Sequence, residues 1–150
     1  MKYSDIERCF TDPETSLEVL EECQPMFDRI DEIGTMLRDS KFANPLELDN
    51  LLKELNGLNI FLQPILGVAE STKSEEEDRH YCTSKMALEK NGEKVVSAVL
   101  EREASLAVAN YRTIRNVIES YVKVVNTVIM SAQSLMRGNR DERMASNATS

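Results

Sequence analysis

An apolar series stepping alternately by three and four residues runs through the last third of the chain: Tyr111, Ile114, Ile118, Tyr121, Val125, Val128, Ala132 and Leu135. Steps of three and four average close to the helical period, so these eight side chains share one stripe along a long helix. The stripe is a coiled-coil-like seam, and it needs an apolar partner.

A matching series occurs earlier in the chain. Leu48, Leu51, Leu55, Leu58, Leu62, Ile65 and Ala69 keep the same stepping, and Leu52, Phe61 and Leu66 widen the face. Asn44 is a good N-cap, Pro45 suits the first turn, and Glu47 stands where a capping-box acid belongs. Pro64 lies inside the series and predicts a kink, not an end, because the heptad continues through it. Two complementary heptad helices predict an antiparallel hairpin. The fold class expected is all-α: a long antiparallel helical hairpin or bundle with a coiled-coil-like seam, assembled as an oligomer.

Composition agrees with that class. With 41% apolar residues in 150, one domain can bury a core without disulfides or metals. Only 5 Gly and 4 Pro are present, too few for the turns of an all-β fold. The expected organisation is one helical domain over residues 1–137, followed by a disordered polar tail over 138–150. Within the domain, N-terminal helices span 12–37, opening at Asp12-Pro13-Glu14, and Pro25 either kinks or splits them. A kinked helix spans 45–72, and a long C-terminal helix spans 93–137; the polar stretch from Glu70 to Arg79 either starts a new helix, capped by Ser74 with Glu77, or continues the earlier one as a solvated helix. Asn91-Gly92 is the strongest break between the kinked and the long helix, suited either to a C-cap with Gly92 left-handed or to a tight turn.

The seam's surroundings bear on assembly. Val117 and Val124 lie on one flank of it, and Val122, Ile129 and Met136 on the other. A two-stranded coiled coil keeps its flanks charged, so this stretch is expected to touch more than one helix.

Chemistry-bearing residues are sparse. His80 is the sole histidine, and His80-Tyr81-Cys82 lacks the further ligands of a zinc site. Residues two apart on a helix diverge, so His80 and Cys82 do not make a nucleophile pair. His80 is expected at a helix end or a turn. The acidic run Glu75–Asp78 points around a helix, and it lacks the spaced ligands and glycine of a calcium loop. No Gly-rich phosphate loop is present. These features predict no enzyme activity, no cofactor, no metal and no small-molecule substrate.

Cys9, Cys23 and Cys82 form no disulfide framework. The opening MKYSDIERCF is polar and predicts no secretory leader, and no apolar run reaches the roughly 18–20 residues of a membrane span. A cytoplasmic protein is expected, with no membrane partner. The formal net charge of −8 is uneven: residues 1–80 hold 8 Lys and Arg against 19 Asp and Glu (−11), and residues 81–150 hold 10 against 7 (+3). Arg137, Arg140 and Arg143 cluster at the end of the long helix, where they complement its dipole or contact phosphate.

The segment Met86–Arg137, with its broken helix start, central Tyr111 and terminal Leu135-Met136-Arg137, resembles the C-terminal part of T4-type bacteriophage recombination mediators. The resemblance covers about a third of the chain and rests on helical pattern. It implies a small all-helical protein that forms rings and helps load a recombinase onto single-stranded DNA in the host cytoplasm. This chain departs from that family in being acidic, and no binding residue is carried over.

Two main functions are thus expected. One is a non-catalytic, self-associating helical adaptor whose acidic N-terminal half recognises another protein. The alternative is a single-stranded DNA accessory protein acting through the basic C-terminal half. An acidic inhibitor that mimics nucleic acid is a further reading.

Overall fold

The computed structural model describes residues 3–11, 15–39, 41 and 44–148, and among them there is no strand. Five helices follow in order: α1 (Tyr3–Cys9), α2 (Glu18–Arg38), α3 (Pro45–Lys90), α4 (Ser97–Ala107) and α5 (Ala109–Ala148). The chain divides into two compact units, one made of Met1–Glu22 with Pro64–Ile118 and the other of Cys23–Gln63 with Glu119–Ser150.

The second unit is a three-helix bundle. The stripe Cys23, Phe27, Ile30, Ile33 and Leu37 is the buried face of α2, and Leu48, Leu51, Leu55 and Leu62 are that of α3. From α5 come Val122, Val125, Ile129 and Ala132. Phe27 of α2 meets Tyr121, and further on a Cβ at Gly34 would stand 3.7 Å from Val128, so α2 and α5 run the same way. Along α3 the order reverses: Asn59 donates to Asn126 at 3.1 Å, and Pro45 shares a cleft with Asn139 and Arg143. α3 is therefore antiparallel to α5.

In the first unit α3 keeps that sense. Glu77 pairs with Arg112, Tyr81 shares a cleft with Ala104, and Leu88 shares a groove with Leu100. Near its other end Phe10 stacks on Tyr111 with ring centroids 6.2 Å apart, and the Tyr111 hydroxyl donates to the Phe10 carbonyl. Ile6, Phe10 and Val19 join Ile65, Ala69, Val108, Ile114 and Ile118 in the core here.

The helix boundaries follow local chemistry. The Glu47 N–H donates to the Asn44 side chain at 3.0 Å, which starts α3 where the capping signal placed it. α3 runs on to Lys90 and does not stop near residue 72. Its polar stretch stays helical because Lys73 pairs with Glu77, Glu76 with Arg79, and no breaker intervenes before Asn91. His80 consequently sits within the helix and exposed, not at its end. The stop is a Schellman motif: Glu93 N–H bonds to the Leu88 carbonyl, Gly92 N–H to that of Glu89, and Gly92 takes φ 69°.

Neither proline ends its helix. Pro25 lies inside α2 and Pro64 inside α3, both on exposed positions. Glu21 and Ile60, whose carbonyls each proline deprives of a donor, are also exposed, so water can serve them. The expected helix start at Asp12-Pro13-Glu14 lies outside the described residues.

The C-terminal helix differs from the uninterrupted 93–137 span. Residues 93–96 are not helical, with Val96 extended, α4 begins at Ser97, and the helix breaks again at Val108 (φ −103°, ψ 20°). No Gly or Pro marks this second break. Val108 is buried, and the Arg112 guanidinium spans the break, donating to the Ser105 carbonyl at 3.0 Å and to the Ser105 hydroxyl. The stretch expected as a tail, 138–148, continues α5, whose last turns flank Pro45 at the start of α3.

Candidate interaction surfaces

The heptad seam is largely consumed inside the chain. Tyr111, Ile114, Ile118, Val125 and Ala132 are buried, Tyr121 and Val128 half-buried, and only Leu135 is exposed, at 36%. Its two flanks are unequal. Val122 and Ile129 are buried and Met136 half-buried, whereas Val117 is half-buried and Val124 exposed. The widening expected on both sides is thus filled mainly on one.

Some of the charged side chains are engaged in ion pairs. Arg29 makes a fork with Glu54 (2.6 and 2.8 Å) and reaches Glu32. The guanidinium hydrogen bonds hold the Glu54 carboxyl below its usual range. In the acidic run Glu75–Asp78, Glu76 and Glu77 are engaged by Arg79, Lys73 and Arg112. Burial, reinforced by a hydrogen bond to Asp31, pushes the Tyr121 phenol up. Burial likewise raises the Cys9 thiol, which disfavours the reactive thiolate. Among the described residues no three His, Cys, Asp or Glu gather as a metal site. No helix among the described residues is long and apolar enough to cross a membrane.

Arg137, Arg140 and Arg143 are exposed near the end of α5, and none has an ion pair among the described residues. Two of them converge. Arg140 and Arg143 line a small cleft with Met136, Asn139 and Pro45. Arg137 is not among its lining residues.

A different surface stands out at the α3–α4 turn. From residue 70 to residue 99 no side chain is buried, although Leu100 and Ala104 of α4 are. An open groove of about 410 Å³ lies there, lined by Ala87, Leu88, Val96, Val99 and Leu100, with Lys94 and Glu103 among its polar residues. Val96 and Val99 are about half exposed, and nearby in sequence Met86 and Leu106 are more so. This patch lies outside the heptad seam. Its sequence signal is a second apolar strip, Val96 and Val99, beside the buried Leu100 and Ala104 on a helix of only 11 residues.

Comparison with known proteins finds no matching protein family, no matching curated protein and no matching solved structure.

Proposed function

We propose that this chain is a non-catalytic, self-associating helical adaptor that works through protein–protein contacts. One observation carries the reading: the seam is buried within the chain, yet the α3–α4 groove keeps apolar side chains uncovered. Apolar side chains left uncovered beside a groove are ones that a further helix can cover. The acidic N-terminal half offers a second, electrostatic surface for a basic partner protein. Light scattering at micromolar concentration tests self-association. A mass that is a multiple of 17.0 kDa is expected, and a stable monomer would overturn it.

A second reading is a single-stranded DNA accessory protein of the recombination-mediator kind. It is favoured by Arg140 and Arg143 sharing a cleft, with Arg137 close by on α5, all without carboxylate partners among the described residues. Binding to a single strand should then fall with salt at a slope of about −0.7 per phosphate contacted. Reversing the three arginines to Glu should abolish it. Absence of binding at low salt removes this reading.

A further inference from the structure

Three features of the α3–α4 turn bear on what covers it. The first is a missing layer. Over residues 70–90 α3 buries none of its own side chains, and the apolar groove it forms with α4 stays open. A two-helix hairpin has one apolar face too many, and packing a second hairpin against it gives the four-helix arrangement that satisfies both.

The second is the charge pattern. Between Lys85 and Glu103 four basic and four acidic residues alternate in sign along the chain, so the region has no single-sign field. Such a surface suits neither a polyanion nor a strongly basic protein. It suits itself, because a two-fold contact brings the same patch from each copy together and needs both signs on that patch.

The third is that charges at the groove are uncommitted. Lys94 and Glu103 both line it, and neither has an ion pair among the described residues. Across a two-fold axis Lys94 of one copy can meet Glu103 of the other, and the reverse pair forms by symmetry.

We infer that the α3–α4 groove is an isologous docking surface for a second copy of this chain, with Val96 and Val99 at its centre and reciprocal Lys94–Glu103 pairs at its edge. This deepens the self-association reading and rests on it. Both valines are exposed enough for substitution without loss of the fold.

Sedimentation equilibrium on the full chain tests it with charge-reversal variants. Val99→Glu should weaken association roughly tenfold or more, with the helical circular dichroism and melting of wild type. Lys94→Glu and Glu103→Lys should each weaken it, since each puts like charges together twice. Mixing these two variants should restore association as a heterodimer, and so should combining both changes in one chain. An oligomer whose affinity is unchanged by all of these variants would overturn the groove assignment and leave self-association standing. A wild-type monomer would overturn both.

Discussion

Tyr121 lies face to face with Phe27, their ring centroids 4.0 Å apart at 13°, and its hydroxyl donates to Asp31 one turn along α2. The pair pins α2 to α5 through two different interactions of unequal weight. Phe27 is buried, so Phe27→Ala should cost about 3–5 kcal/mol in urea unfolding. Tyr121→Phe removes only the hydroxyl and should cost about 1 kcal/mol or less. If Tyr121→Phe proved the worse of the two, the hydrogen bond and not the stack would be holding the helices.

The Arg29–Glu54 fork predicts a pH effect of definite sign. Glu54 titrates lower in the folded chain than in the unfolded one, so its contribution is complete above the ordinary carboxylate value of 4.5. It is lost as pH falls through the depressed folded value. Both partners are about one-third or more exposed, which limits the contribution to about 1 kcal/mol or less. The stability gap between wild type and Glu54→Gln should therefore be small near neutrality and close in acid. A gap that widened in acid would contradict the ion pair.

Gly92 is needed for its backbone and not for its size. A Cβ there would meet nothing within 4 Å, but φ of +69° strains any L side chain. Gly92→Ala should cost about 1–2 kcal/mol in thermal unfolding. Gly92→Asn should cost less, because asparagine tolerates the left-handed region. Equal and negligible losses would mean that the α3 stop is set elsewhere.

Along α5, depth should decide tolerance. Val125 is fully buried, and Val125→Glu should destabilise by more than about 3 kcal/mol, because the unpaired charge cannot be hydrated. Met130, at 67% exposure, should accept Glu within about 0.5 kcal/mol. Similar melting of the two variants would show that the seam is misplaced.

Where a residue's effect is local, the sequence is a good guide. Asn44 and Gly92 act through hydrogen bonds within a turn of themselves, and both do what their positions predict. The all-α class and the apolar stripes of α3 and α5 were legible for the same reason. The break at Val108 was not, since no Gly or Pro marks it, and the burial of that side chain and the reach of Arg112 to Ser105 are visible only in the fold. The length of α3 is legible only in part, because Ser74 with Glu77 can cap a new helix as well as Lys73, Glu76, Glu77 and Arg79 can continue the old one until their pairings are known. A heptad seam reads the same whether its partner lies in the same chain or another. The candidate docking groove escaped notice because Val96 and Val99 follow no long series.

The tight turn at Asn91-Gly92 also favours one order of assembly over others. Leu88 and Leu100 share the groove beside it across about a dozen residues of chain, whereas Pro45 and Arg143 meet across roughly a hundred. Closing the short loop first makes every later pairing a small extension of an existing one. The helices can thus zip together from the turn outward, each step adding little loop entropy. Yet the stretch nearest the turn buries least, so the earliest steps meet little reward until Leu100 and Ala104 are covered. Substitutions at Leu100 are therefore expected to slow refolding more than they hasten unfolding, a difference that stopped-flow kinetics would read.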